Sequence, residues 1–167
     1  GQLSVFINTG GTFSEIKSSV VGHDQTGVVI YPSSSGPEIL VGHSNFESTV
    51  EETSFIQGYR VEGNRIVETR RIRTNLSSVG ALCMADIDGD GDLDLFAGGR
   101  TIPGRYPEPA SSMLFINDSG TFVPDSENNA NLEEIGLITG ALFSDIDSDD
   151  DPDLILAVEW GPVTILE

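Results

Sequence analysis

The stretch that decides the fold reads Ala85-Asp86-Ile87-Asp88-Gly89-Asp90-Gly91-Asp92-Leu93-Asp94-Leu95-Phe96-Ala97, and a near copy reads Ser144-Asp145-Ile146-Asp147-Ser148-Asp149-Asp150-Asp151-Pro152-Asp153-Leu154-Ile155-Leu156. In both, aspartates recur at alternate positions between two apolar runs. Unit charges a few Å apart repel by several kcal/mol at a protein-like effective dielectric, so such a cluster calls for positive charge in its midst. A hard cation that takes about six to eight oxygens at about 2.3 to 2.6 Å is the natural neutraliser, and calcium is the ion expected. The reading is two calcium sites, with Asp86, Asp88, Asp90, Asp92 and Asp94 on the first and Asp145, Asp147, Asp149, Asp151 and Asp153 on the second.

Counted from Asp86, side-chain oxygens fall at positions 1, 3, 5 and 9, and Asp92 at position 7 is placed to offer its backbone carbonyl. That order matches the opening of an EF-hand loop, down to the glycine at position 6, here Gly91. The match ends at position 12, where Ala97 stands in place of a bidentate glutamate, and the flanks read as strands. The expectation is a calcium loop between two β-strands. The second loop carries Asp150 at position 6, a residue type that tolerates positive φ better than most, and Pro152 at position 8, which fits only where no N–H is needed. An earlier segment, Tyr31-Pro32-Ser33-Ser34-Ser35-Gly36-Pro37-Glu38, precedes a similar apolar run but has one carboxylate, so no calcium is expected there.

Spacing extends the pattern to the whole chain. Asp86 and Asp145 lie 59 positions apart, a period at which repeat architectures such as propellers are built. Ser4-Val5-Phe6-Ile7-Asn8 with Gly11-Thr12-Phe13 recurs as Met113-Leu114-Phe115-Ile116-Asn117 with Gly120-Thr121-Phe122, 109 positions later, and Tyr59 to Ile66 is a weaker copy about halfway. Ile39-Leu40-Val41-Gly42, Leu95-Phe96-Ala97-Gly98 and Leu154-Ile155-Leu156-Ala157 form a third series. Short β-rich runs such as Val28 to Tyr31 and Ile66 to Thr69 alternate with Gly, Ser, Asn and Pro clusters, the pattern of antiparallel strands joined by turns. No sustained helical period is present, and Asn131 to Ile135 reads as a turn at most. The expected fold is all-β: a β-propeller segment of about three four-stranded antiparallel blades over residues 1–167, with approximate repeats 3–57, 58–112 and 113–167 in a permuted frame. Three blades are fewer than the four to eight or so of a closed propeller, so either the chain is part of a longer one or copies associate head to tail.

Composition narrows the function. The 167 residues are 38% apolar and 7% aromatic, enough for a core, and the formal net charge is −19. Nucleic acid and anionic membrane surfaces need a basic face, so neither is an expected partner. No apolar stretch approaches the roughly 18 residues of a membrane span, and Gly1-Gln2-Leu3-Ser4 has no leader-like pattern, so any export signal is expected to have been removed or to lie outside this stretch. Cys83 is the only cysteine; within Ala81-Leu82-Cys83-Met84 it reads as a core filler, far in sequence from His23 and His43.

The first loop with its Phe96-Ala97-Gly98-Gly99 tail, together with the second loop ending Pro152-Asp153-Leu154, resembles the FG-GAP or VCBS repeat family, whose calcium loops also occur on the integrin α-subunit propeller. Gly98-Gly99-Arg100-Thr101-Ile102-Pro103-Gly104-Arg105-Tyr106-Pro107-Glu108-Pro109 and Val158-Glu159-Trp160-Gly161-Pro162 further resemble exported bacterial proteins that carry such repeats with an ASPIC/UnbV domain. The resemblance covers residues 80 to 167 best. It implies a secreted or cell-surface propeller module, a binding, adhesion or scaffolding role with structural calcium, a protein or glycan ligand, and no enzyme activity.

Two other classes stay open. One is a self-assembling surface or filament subunit joined by head-to-tail blade contacts. The other is the propeller part of a polysaccharide-active enzyme, which requires paired carboxylates that are not metal ligands, and none is evident. Trp160 reads chiefly as packing between blades and secondarily as a sugar-stacking residue; Arg100 and Arg105 read as binding-loop residues or as partners of nearby carboxylates. Asn75-Leu76-Ser77 and Asn117-Asp118-Ser119 match the glycosylation sequon, a short and weak motif.

Overall fold

A computed structural model of the chain describes residues 1–47 and 52–167, so residues 48–51 of the stretch 3–57 lie outside the described residues. The fold is all-β, in four antiparallel sheets, each built from consecutive strands. The first is the hairpin β1 (Ser4–Thr9) and β2 (Thr12–Lys17). The second runs β3 (Asp24–Ser33), β4 (Gly36–Ser44), β5 (Phe55–Glu62) and β6 (Arg65–Arg73). The third runs β7 (Ser78–Ala85), β8 (Asp94–Thr101), β9 (Met113–Asp118) and β10 (Thr121–Pro124). After a six-residue helix α1 (Ser126–Asn131), the fourth runs β11 (Leu137–Ser144), β12 (Asp153–Glu159) and β13 (Val163–Leu166). The stretch 3–57 carries the β1–β2 hairpin, β3, β4 and the start of β5; 58–112 carries the rest of β5 with β6, β7 and β8; and 113–167 carries β9 to β13 with α1.

The sheets meet face to face because the period-2 alternation of the strands gives each central strand two apolar faces. On β8, Leu95 and Ala97 point into a core shared with Tyr31, Leu40, Ile56 and Ile72 of the second sheet. Phe96, between them, points the other way, into a core with Ile138, Leu154 and Leu156 of the fourth. Phe115 and Leu114 on β9 divide in the same manner. A strand buried on both faces reads as a continuous apolar run, as β8 does.

The first strands of successive sheets lie against one another, β3 on β7 and β7 on β11. Each carries a register shift where it pairs with its second strand: between Gln25 and Val28, between Val79 and Leu82, and between Ile138 and Gly140. Close approach there demands glycine. A Cβ on Gly27 would meet the Gly80 carbonyl oxygen at 2.4 Å, and one on Gly80 would meet the Ile138 carbonyl oxygen at 2.9 Å. Glycines on the second strands receive side chains of the next sheet in the same way: Gly42 lies under Val79 and Gly98 under Ile138.

The ends of the row are less covered. Phe6 on β1 is 58% exposed, whereas Phe115, its counterpart on β9, is 1% exposed; Phe13, Val163 and Ile165 are also exposed. Among the described residues, no helix is long and apolar enough to cross a membrane.

Candidate metal centre

The two acidic segments are the connections between first and second strands of the third and fourth sheets. The ladders close them in the same register, at Ala85↔Asp94 and at Ser144↔Asp153. Positive φ at the fourth and sixth positions folds each loop back, at Gly89 (75°) and Gly91 (93°) in the first and at Ser148 (67°) and Asp150 (74°) in the second. The second loop therefore adopts the glycine conformation with two residues that carry a Cβ, at some cost in strain. Pro152 stands just before β12, outside the ladder, where no N–H is required.

Within each loop the first aspartate gathers backbone donors. Gly89 and Gly91 donate N–H to Asp86 Oδ1 and Oδ2, at 2.9 and 3.0 Å. Ser148 and Asp150 donate to the corresponding oxygens of Asp145, at 2.6 and 3.2 Å. The last aspartate closes the loop from below: Ile87 N–H donates to Asp94 Oδ2 and Ile146 N–H to Asp153 Oδ2, both at 2.8 Å. Asp94 is fully buried, and its Oδ1 also accepts the Asn117 N–H of β9 at 2.8 Å. Such side-chain-to-backbone bonds give the loops a fixed shape.

Two groups of carboxylates have ligand atoms within 4.8 Å of one another and can hold a metal ion: Asp86, Asp88 and Asp94 in the first loop, and Asp145, Asp147 and Asp149 in the second. Asp90 and Asp92 stand outside the first group, as do Asp151 and Asp153 outside the second. Asp90 Oδ1 instead accepts the Asp92 N–H, at 2.8 Å. Charge crowding is visible in both. Burial, then the charges of Asp88 and Asp90, raise the Asp94 carboxyl against two backbone hydrogen bonds that lower it. Asp147 is raised by desolvation and by Asp149 and Asp153.

The second sheet shows what stands in the same place without acidic alternation. Its connection shrinks to a tight hairpin closed at Ser33↔Gly36, and Glu38 precedes the apolar run of β4 as Asp94 precedes that of β8. Glu38 is 2% exposed and is held by two arginines: Arg60 Nη2 donates to Oε1 and Arg70 Nε to Oε2, each at 2.8 Å. Guanidinium groups thus do for this carboxylate what a cation would do for the others. Arg70 also donates through Nη1 to the Gly120 carbonyl, and Gly120 N–H donates to Asn117 Oδ1, so the Glu38 cluster is tied to the β9–β10 hairpin that braces Asp94. Nothing in the sequence pattern marks this cluster, because Glu38, Arg60 and Arg70 are far apart along the chain.

Trp160 is 83% exposed, so it does not pack between sheets; its indole N–H donates to Tyr106 Oη at 3.1 Å, and Tyr106 donates to Glu159 Oε1 at 2.9 Å. Arg100 pairs with Glu159 and Arg105 with Glu108. Cys83 is a half-buried free thiol against the core between the third and fourth sheets, and burial pushes it up to about 12, far from a reactive thiolate. Asn117 is fully buried, which leaves no room for a glycan there. Compared with known proteins, the chain matches no family model and no curated protein.

Proposed function

We propose that this chain is a calcium-stabilised β-propeller module of the FG-GAP or VCBS type, serving extracellular binding, adhesion or scaffolding on a bacterial surface or in secreted form, with the metal in a structural part and no catalytic residue. The observation that carries it is the pair of eight-residue loops closed in one register, each of which brings three carboxylates together where the second sheet has Glu38 between two arginines. A row of consecutive-strand sheets, face to face with their first strands adjacent, supports the propeller part of the reading.

For sites with dissociation constants of about 0.1 to 1 mM, millimolar calcium adds roughly 0.4 to 1.4 kcal/mol each by mass action. For a domain of this size, two such sites raise the melting temperature by about 2 to 10 °C. Melting in chelator and in millimolar calcium tests this, with the double variant Asp86→Asn/Asp145→Asn as the control that loses the response. A melting temperature indifferent to chelator rejects the structural calcium.

A second reading, head-to-tail self-association, is favoured by the apolar residues left at the two ends of the row, Phe6 and Phe13 at one and Val163 and Ile165 at the other. The occupant it assigns to each end is a second copy of this chain.

A further inference from the structure

Away from the acidic loops, both histidines of the chain meet two arginines. A cavity of about 310 Å³ at the end of the second sheet is lined by His23, His43, Phe55, Arg71 and Arg73, with Glu52 as its one carboxylate among the described residues. His43 is 1% exposed, and neither of its ring nitrogens has a hydrogen-bond partner. A buried polar atom without a partner costs about 1 to 3 kcal/mol, and here one side chain has two. Its ring is stacked on Phe55 at 4.5 Å between centroids, with His23 edge-on to both. Arg71 lies over the same Phe55 ring at 4.3 Å and donates only through Nε, to Gln57 Oε1 at 3.1 Å. Arg73, on the same face of β6, makes no hydrogen bond or ion pair among the described residues. Most of the other cations of this strongly acidic chain are paired with carboxylates: Lys17, Arg60, Arg70, Arg100 and Arg105.

We infer that this cavity is a binding site for a small hydroxy acid, a molecule carrying a carboxylate beside a hydroxyl, as uronic acids do. The unpaired guanidinium of Arg73, with the Nη groups of Arg71 beside it, matches a carboxylate, which accepts parallel N–H bonds. A carboxylate alone, which only accepts, leaves His43 unsolved. A neutral imidazole has one N–H donor and one bare nitrogen acceptor, and a ligand with its own O–H answers the second. Burial, with the positive charges of His23 and Arg71, holds His43 down to about 4, so the neutral ring is the form present at pH 7.

The test is calorimetric titration of the full chain with D-glucuronate, D-glucose and inorganic phosphate, in chelator so that the acidic loops take no part. Glucuronate is expected to bind more tightly than either of the others. Arg73→Ala, an exposed position whose loss leaves the fold intact, is expected to weaken it roughly ten- to hundredfold, as the removal of a charge-assisted hydrogen bond does. Arg65→Ala, an unpaired arginine elsewhere on β6, should leave it unchanged. No glucuronate binding at millimolar concentration, equal or tighter phosphate binding, or equal weakening by Arg65→Ala overturns the assignment. The outcome is independent of whether the aspartate loops hold calcium.

Discussion

Glu38 is the side chain on which the second sheet's charge balance turns. At 2% exposure its desolvation is offset chiefly by Arg60 and Arg70, themselves about a quarter exposed, with the Thr69 hydroxyl donating to Oε2 at 3.3 Å. Removing one partner of such a group leaves uncompensated charge, which costs about 3 to 5 kcal/mol for a fully buried pair and less where the arginines reach water. Glu38→Gln is therefore expected to lower unfolding stability in urea by about 2 to 4 kcal/mol; a loss within about 0.5 kcal/mol contradicts the role assigned to the two guanidinium groups. His43 makes a pH prediction. Its folded value lies below the unfolded one of 6.5, so its contribution is complete above pH 6.5 and is lost as the pH falls from there toward about 4. The loss is on the order of 2 kcal/mol. Urea titrations at several pH values in that window should show His43→Phe with a shallower acid decline than the parent; parallel declines would refute it.

At the scale of elements, the hairpins were legible because glycine and asparagine mark their turns: Asn8 and Gly11 around β1–β2 recur as Asn117 and Gly120 around β9–β10, and in both the asparagine Oδ1 accepts the glycine N–H. The acidic loops were legible from alternation, since a period of two between strands puts the aspartates on one side of a bend. The helix α1 was not. Ser-Glu-Asn-Asn-Ala-Asn has no apolar stripe, and it forms because Asp125 accepts N–H bonds from Glu127 and Asn128 at its start. Nor was the His43 cavity, whose walls come from His23 before β3, from β4, β5 and β6, and from the connection between β4 and β5. Close approach of first strands is equally silent in sequence, because Gly27 and Gly80 look like ordinary turn residues. Gly27→Ala drives a Cβ into the Gly80 carbonyl, a backbone atom that cannot swing aside, and is expected to cost about 2 to 3 kcal/mol by thermal or chemical denaturation. The same change at Gly10, on the open β1–β2 turn with nothing within 4 Å, is limited to the strain of its positive φ.

For the molecule as a whole, apolar ends and a net charge of −19 pull in opposite directions. Self-repulsion keeps copies apart at low ionic strength, where the Debye length is about 30 Å at 0.01 M, and salt near 0.15 M shortens it to about 8 Å. Association through the exposed ends is therefore expected to appear in sedimentation or light scattering as salt or calcium is raised. Phe6→Ser/Phe13→Ser, which removes apolar area at one end without touching the two cores, should abolish it. A concentration-independent monomer under all of these conditions removes the self-assembly reading.

The arginine-held Glu38 has a last consequence. Its counter-charge is covalently part of the chain and never leaves, whereas an ion at Asp86 or Asp145 exchanges with the surroundings. On the proposed reading, a drop in free calcium loosens the molecule from its C-terminal side while residues 24–73 keep their shape, so a protease added after chelation should nick the later hairpins first and leave the earlier sheet as the surviving fragment.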